Sequence, residues 1–205
     1  LSKKNKKLLV ESTFFNYHIQ MRKLIRAHRN DKYKKIYAKF IIPKPDKRSI
    51  LMSKNFHGGV LMDMGPYISS IPRLFNLQNL LKKRIRIIKN KEKLIMSIKF
   101  LINFKEGDYD GIFKFGGKYT NEIKIINKGK ISFIKRVFSP PDNECLVLKS
   151  INQKREKITK FKKDNCFENF FAEVLRIIKE NRYSFYYKRM RHDIYFRINL
   201  NKKVT

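Results

Sequence analysis

Several residue types are scarce in this sequence, and each shortage narrows the possible function. The chain has two cysteines, no tryptophan and no apolar run near the roughly 18 residues of a membrane span. Cys145 and Cys166 show neither metal-ligand spacing nor a pairing pattern. They indicate two reduced thiols of a cytoplasmic protein, with a disulfide as the lesser alternative. We therefore expect no membrane segment and no metal centre.

Acidic residues are also scarce, since 17 Asp and Glu face 49 Lys and Arg, for a net charge of +32. A charge of this size favours a polyanionic partner such as nucleic acid. The basic residues, however, are spread along the whole chain, which is rich in Lys, Ile, Asn, Phe and Tyr and has only three alanines. Codon bias in an AT-rich genome would produce the same composition. Nucleic-acid binding is therefore the less favoured interpretation, and it stays open.

Short β-branched and aromatic segments dominate the middle of the chain. Between residues 82 and 162 they read "RIRII", "LIMSIKFLINF", "GIFKFGG", "EIKIIN", "ISFIKRVF", "CLVLKS" and "KITKF", and turn sequences separate them. An earlier segment, "KIYAKFII", ends at "PKP" and is also typical of a strand. "KKLLVES", near the N-terminus, reads as another short strand. We expect a mostly antiparallel meander, in which "FGGKY" at 115–119 is a hairpin turn.

Helical periodicity occurs near both ends of the chain. One apolar stripe runs from Phe14 to His28, and a second from Phe167 to Ile178 includes Phe171 and Leu175. A third consists of Tyr187, Met190, Ile194 and Ile198, with Ser184 as a candidate cap. The sequence therefore predicts an α+β fold with an open-faced, mostly antiparallel β-sheet and helices on one face.

The stretch "HGGVLMDMGPY" at 57–67 allows two interpretations. In the structural one, Gly58 and Gly59 form a tight turn and the apolar residues after them begin a buried helix. In the catalytic one, Asp63 and Tyr67 are four residues apart and share one helix face, where they could handle a substrate hydroxyl. Spacing alone favours the structural interpretation.

Three ordered motifs resemble one enzyme family. "GGVLMDMGPYISSIPRLF" is similar to the signature segment in the C-terminal domain of the Gfo/Idh/MocA oxidoreductases, named after glucose–fructose oxidoreductase, inositol dehydrogenase and rhizopine catabolism. "LLVESTFFNYHIQMRKLI" resembles that family's strand–helix junction, and "FENFFAEVLRIIKENRY" its late helix. Order and spacing agree, so the resemblance covers essentially the whole chain.

The resemblance implies a function and a set of site residues. It implies the substrate-binding half of an NAD- or NADP-dependent oxidoreductase that acts on a hydroxyl of a sugar or nucleotide-linked sugar. Tyr67 would be the catalytic acid/base, with Asp63 orienting the substrate. Asn16 and His18 would contact the substrate, although the spacing of His18 favours a structural role, and Gly58 and Gly59 would form the turn near the cofactor. The family also implies a homo-oligomer assembled through the sheet face.

The sequence differs from the family's motifs at several positions, and these differences bear on the function that the resemblance implies. Asn16 stands where the family has Arg, Ile19 where it has Pro, and His57 replaces the first glycine of a triplet. No G-x-G-x-x-G occurs, so neither the dinucleotide site nor the family's catalytic lysine is in the sequence. We expect residues 1–12 to be a remnant of the last strand of a dinucleotide-binding domain. Residues 13–205 would then be the C-terminal α+β substrate-binding and oligomerisation domain, inactive alone.

A rival interpretation explains the same sequence without catalysis. A stand-alone basic module could keep the fold and bind nucleic acid or a protein partner. It predicts steeply salt-dependent nucleic-acid affinity, whereas an enzyme half predicts weak, unspecific retention.

Overall fold

The computed structural model describes residues 4–5, 7–153 and 155–201. These residues form four helices and one eight-stranded sheet. In chain order the elements are α1 (Ile19–His28), β1 (Lys34–Ile42), α2 (Val60–Leu74), β2 (Leu80–Lys89), β3 (Ile95–Phe104), β4 (Gly107–Phe115), β5 (Thr120–Asn127), β6 (Lys130–Lys135), β7 (Val147–Asn152), β8 (Arg155–Lys160), α3 (Cys166–Lys179) and α4 (Tyr183–Asn201). Short 3-10 helices cover Phe14–Tyr17 and Ile50–Met52. The predicted α+β class is confirmed.

The sheet has the order β2-β3-β4-β1-β5-β6-β7-β8. All of its strand pairs are antiparallel except β1–β4, which is parallel. The strands expected between residues 82 and 162 and the "KIYAKFII" strand all form. The expected simple meander is wrong, because β1 lies between β4 and β5. "FGGKY" therefore bridges two strands that are not neighbours, and it is not a hairpin turn.

Along the strands, buried residues alternate with more exposed ones, so one face of the sheet lies in the core. In β4, for example, Tyr109, Gly111 and Phe113 are buried while Asp110 and Ile112 are only half-buried. Gly111 is needed because an added Cβ would lie 2.1 Å from the Phe100 ring atom Cζ on β3. Helix α2 packs against β3 and β4, and its residues Val60, Met64, Ile68 and Ile71 are fully buried. The opposite face carries the remaining half-buried and exposed strand residues.

The N-terminal prediction needs two corrections. The predicted strand "KKLLVES" is absent, since residues 7–13 have no regular secondary structure and no strand of this chain pairs with them. Residues 1–3 and 6 of the expected strand remnant lie outside the described residues. The predicted continuous helix from Phe14 to His28 is interrupted at His18, whose extended ψ of 137° separates the 3-10 turn from α1.

The two C-terminal helices form, but only part of their predicted apolar stripes is buried, as with Phe170 of α3. On α3 the buried residues are Cys166, Phe170 and Ile177, whereas Phe167, Phe171, Leu175 and Ile178 are exposed. On α4 the buried residues are Tyr186, Asp193 and Leu200, and the predicted members Ile194 and Ile198 are exposed. Helix α4 begins at Tyr183, so Ser184 lies inside its first turn and is not the cap.

Candidate functional site

The two glycines at 58–59 fix the start of α2. Gly59 has φ +101°, a conformation that favours glycine, and an added Cβ would lie 3.0 Å from the Ile95 carbonyl oxygen. At Gly58 the added Cβ would lie 2.4 Å from the Leu51 carbonyl oxygen. The Gly59 N–H donates to that same oxygen at 2.8 Å, and the Asp63 N–H donates to the Gly59 carbonyl at 3.1 Å. The turn therefore sets the position of Asp63 one helical turn later.

The Tyr67 ring packs against a cluster of aromatic side chains, where the core meets the sheet. Its ring centroid is 5.6 Å from each of the rings of Phe15, Phe40 and Phe138. Asp63 precedes Tyr67 by four residues on α2, so the two side chains lie on one face of that helix. The predicted catalytic pair therefore lies on one face of α2, with the Tyr67 ring packed between the 3-10 turn and β1.

The surroundings of Asp63 and Tyr67 favour the protonated form of both side chains, because they raise both pKa values. Burial, followed by the charges of Asp63 and Cys166, raises the pKa of Tyr67 above 10.0. Burial also raises the pKa of Asp63 above 3.8. Neither direction suits a phenolate base, because a general base near neutral pH requires a lowered tyrosine pKa. A neutral phenol does suit proton donation to an oxygen atom.

His18 combines a structural contact with a free ring nitrogen. Its Nδ1 accepts the Gln20 N–H at 3.2 Å and so caps α1. The neutral ring therefore carries its proton on Nε2, which is buried without a partner among the described residues. Burial lowers the pKa of His18, and Asp164 opposes that effect. His18 is consequently a neutral hydrogen-bond donor at its Nε2.

Like His18, Asn16 has one side-chain atom in a hydrogen bond and another without a partner. Its Nδ2 donates to Thr13 Oγ1 at 2.9 Å, whereas its Oδ1 is buried with no partner in the described part of the chain. Asn16 lies on the 3-10 turn that contains Phe15, a neighbour of the Tyr67 ring, and His18 directly follows that turn. Neither residue forms a hydrogen bond to Asp63 or Tyr67 within the ranges described. The structure places the two pairs on adjacent elements rather than in one hydrogen-bond network.

Cys166, which the sequence indicates only as a reduced thiol, and Asp164, which it did not single out, are connected to the same part of the structure. Burial raises the pKa of the Cys166 thiol to about 11, and the thiol is close enough to Tyr67 to influence its pKa. Asp164 accepts the Ile19 N–H at 2.6 Å and so ties the start of α3 to the start of α1. Nothing in the spacing signalled these contacts, because residues 164–166 are about 100 positions from Tyr67.

An open apolar groove of about 490 Å³ lies between α2 and α4. Its lining includes Leu61, Met62 and Pro66 from α2 together with Ile194, Arg197 and Ile198 from α4, and Glu11. Arg197 Nη1 pairs with Glu11 Oε1 at 2.7 Å, so the segment before α1 is held against α4. The groove borders the helix that carries Asp63, and its volume is in the range of small-molecule sites.

The described residues contain neither a cluster of metal ligands nor a helix able to cross a membrane. Across 4–5, 7–153 and 155–201, no group of three or more His, Cys, Asp or Glu side chains could hold a metal ion. Within the same part of the chain, every helix is too short or too polar to cross a membrane.

Comparison with solved structures identifies the fold. KijD10, a 3-ketoreductase from Actinomadura kijaniata solved with NADP and TDP-benzene, has a TM-score of 0.81 at 18% identity and matches 94% of this chain. UDP-N-acetylglucosamine 3-dehydrogenase GnnA from Acidithiobacillus ferrooxidans has a TM-score of 0.75 at 12% identity over 97% of this chain. An aldose-aldose oxidoreductase from Caulobacter crescentus, solved with glycerol, gives 0.72 at 13% identity over 87%.

The matches cover only part of each enzyme, namely 61%, 62% and 56% of those three chains. The chain matches no protein-family model and no curated protein sequence. The three enzymes are Gfo/Idh/MocA-type oxidoreductases, and the matched region is their C-terminal part. This chain therefore has the fold of the C-terminal part of the Gfo/Idh/MocA-type oxidoreductases, as the resemblance of the three sequence motifs implies.

Proposed function

We propose that this chain is the substrate-binding half of an NAD(P)-dependent oxidoreductase that acts on a sugar or nucleotide-linked sugar. The observation that carries the proposal is the Asp63–Tyr67 pair, on one side of α2 directly after the Gly58–Gly59 turn, within this fold. The similar solved enzymes are sugar or nucleotide-sugar oxidoreductases, and KijD10 was solved with NADP.

The residues of this chain have separate roles in the proposal. Tyr67, which its raised pKa keeps neutral, holds a proton at its hydroxyl oxygen and would donate it to a substrate carbonyl oxygen. Asp63 accepts a hydrogen bond from a neighbouring substrate hydroxyl. The Nε2–H of His18 and the Oδ1 of Asn16 supply one donor and one acceptor on the adjacent turn. The phenyl rings around Tyr67 exclude water from its inner side.

The residues of this chain do not fit a dinucleotide. The sequence has no G-x-G-x-x-G, and the Gly58–Gly59 turn is packed against Leu51 and Ile95, which leaves no cradle for a pyrophosphate. We therefore place the NAD(P)-binding residues on a further domain, in the same polypeptide or on a partner. Residues 1–12 would join residues 13–205 to that domain, as the sequence resemblance implies. A homo-oligomer through the open sheet face and a cytoplasmic location complete the proposal.

The rival is a non-catalytic basic module. The charge of +32 favours it, and it predicts nucleic-acid affinity that falls steeply with salt. The buried, unpartnered atoms on His18 and Asn16 favour the enzyme, because buried polar atoms without partners are uncommon unless they have a role.

Kinetics of the protein as it exists in its source test the proposal. With NADPH and a panel of keto sugars, Tyr67→Phe should lower kcat by about 100-fold or more while KM changes little, because only proton transfer is removed. Tyr33→Phe is the matched control, since Tyr33 is 73% exposed. A Tyr67→Phe protein with the wild-type kcat would overturn the assigned role.

A further inference from the structure

A carboxylate from a distant part of the sequence lies at the start of α1. Asp164 Oδ2 accepts the Ile19 N–H at 2.6 Å, although the two residues are 145 positions apart. Ile19 is the first residue of α1, where backbone N–H groups have no partner within the helix and the helix dipole favours a negative charge. The first turn of α1 contains no acidic residue of its own. Asp164 therefore supplies the negative charge that the local sequence of α1 lacks.

His18 is bound to the same helix terminus. Its Nδ1 accepts the N–H of Gln20 at 3.2 Å, so His18 and Asp164 bind two successive N–H groups at the start of one helix. This acceptor role places the ring proton on Nε2, which is buried without a partner among the described residues. Rotation of the ring would break the hydrogen bond at Nδ1. The direction of the Nε2–H therefore depends on where the N-terminus of α1 is held.

A second contact connects Asp164 to the residue before His18. Asp164 Oδ1 accepts a hydrogen bond from Asn169 Nδ2 at 2.8 Å, and the same Nδ2 donates to the Tyr17 carbonyl oxygen at 3.3 Å. The two oxygens of one carboxylate thus fix the backbone on both sides of His18, at Tyr17 through Asn169 and at Ile19 directly. Asp164 is half-buried, and hydrogen bonds to an ionised acceptor are stronger than neutral ones.

We propose that Asp164 is a positioning residue that acts through His18, because it holds the Nε2–H of His18 in place to donate to a substrate oxygen. The inference rests on the proposed function, in which His18 supplies one donor to the substrate. It adds to that function a residue that acts on the substrate only through another residue. Asp164 contributes both its hydrogen bonds and its charge, and two variants separate these contributions.

Asp164→Asn keeps a side-chain oxygen for the Ile19 N–H and removes the charge, whereas Asp164→Ala removes both. The matched control is Asp142→Asn, which removes the same charge from an exposed residue. Far-ultraviolet circular dichroism shows whether each variant is folded.

The first measurement is an NMR titration of His18 in the full chain, which has only four histidines. At pH 7 the wild-type ring should carry its proton on Nε2, because Nδ1 is an acceptor. Burial lowers the pKa of His18 and the charge of Asp164 opposes that effect, so Asp164→Asn should lower this pKa further. Asp164→Ala should also populate the tautomer with the proton on Nδ1, and the control should change neither property. An unchanged pKa and tautomer in both Asp164 variants would overturn the inference.

The second measurement is the kinetics of the protein as it exists in its source, with NADPH and a keto sugar. Asp164→Ala should raise KM by about tenfold, the worth of one hydrogen bond, while kcat changes by less than about twofold. Asp164→Asn should keep KM within about threefold of wild type, since it retains the bond to Ile19.

A double variant separates positioning from a merely structural role. His18→Asn keeps a cap for α1 but lacks the Nε2–H, so it should raise KM as much as Asp164→Ala does. In the His18→Asn background, Asp164→Ala should then have no further effect on KM. A further tenfold rise in that background would show that Asp164 does not act through His18 and would overturn the inference.

The failure of this inference is distinguishable from failure of the proposed function. If Tyr67→Phe abolishes the reduction while Asp164→Ala leaves the His18 titration and KM unchanged, the enzyme proposal stands and the positioning role falls. If the Asp164 variants change the His18 pKa and tautomer as expected while no keto sugar is reduced, Asp164 does hold His18 and the proposed function falls.

Discussion

The surroundings of the Asp63 carboxyl group disfavour its ionised form. It is half-buried in the first turn of α2, and burial raises its pKa above the ordinary 3.8. In the unfolded chain the same carboxyl group has the ordinary pKa of 3.8. Below that pH, the protonated form therefore makes its full contribution to the stability of the folded state. That contribution is lost as the pH rises through the raised pKa of the folded state. At neutral pH the ionised Asp63 therefore costs stability, as is common for groups retained for function.

Asp63→Asn should consequently raise the melting temperature at pH 7. For a chain of this size 1 kcal/mol corresponds to about 2–4 °C, and we expect a rise of no more than that. The advantage should shrink as the pH falls and disappear below 3.8, where wild-type Asp63 is protonated in both states. Thermal unfolding by circular dichroism between pH 3 and 7 measures it, with the exposed Asp142→Asn as control. A stabilisation independent of pH would contradict the assigned cause.

The site residues themselves were only partly accessible from the sequence. Spacing placed Asp63 and Tyr67 on one helix face, because residues four apart on a helix are always neighbours. The influence of Cys166 on the pKa of Tyr67 joins residues about 100 positions apart in the sequence, which no local pattern encodes. The cap formed by His18 was hidden because its apolar neighbours continue the helical periodicity that the 3-10 turn interrupts.

At the scale of elements, a buried ion pair joins α2 to α4. Arg73 Nη2 lies 2.7 Å from Asp193 Oδ2, and Arg73 Nε also donates to both carboxylate oxygens. The side chains are only 16% and 4% exposed. This pair explains why the predicted face of α4 was wrong: the helix turns Asp193 inward to meet Arg73 and leaves Ile194 and Ile198 outside. The periodicity of apolar residues does not predict which helix face is buried when an ion pair sets the orientation of the helix.

Arg73→Ala should destabilise the chain by about 3–5 kcal/mol, because it leaves the buried Asp193 carboxylate with only His192 beside it. The double variant Arg73→Met with Asp193→Leu should recover most of that loss, since no buried charge then remains. Urea unfolding at pH 7 measures both. If the double variant were as unstable as Arg73→Ala, the geometry of the pair rather than its charge would be essential.

The exposed apolar residues of α3 show the same limit of sequence patterns. Phe171 and Leu175 are 56% and 59% exposed although the stripe to which they belong predicts a core face. The strands were predicted well because alternation directly reports one buried sheet face. Helical stripes report only that a face is apolar, and not which surface covers it.

At the scale of the whole molecule, the sheet presents a broad second face that no helix of the described residues covers. Register places Leu101 of β3 and Ile112 of β4 on this face, with Tyr37 of β1 beside them. The insertion of β1 between β4 and β5 makes the face continuous over eight strands, and this long-range pairing is not encoded in any single segment. A continuous, partly apolar sheet face is typical of a surface that associates with another.

We expect the chain to self-associate through this face. Combining Leu101→Glu with Ile112→Glu should weaken the dimer by about 30-fold or more, because the introduced carboxylates would be desolvated at the interface. Leu175→Glu, on exposed α3, is the control and should leave association unchanged. Sedimentation equilibrium measures both, and equal association of wild type and the double variant would place the interface elsewhere.

The measurement that tests the central claim most directly is native mass spectrometry of the protein isolated from its source. The account predicts that every copy of these 205 residues is accompanied by a cofactor-binding domain of about 120 residues, within the same polypeptide or as a bound partner. A native assembly that contains only this 24.7 kDa chain or its multiples would contradict the enzyme-half proposal. The basic binding module would then be the better explanation of the fold and its charge.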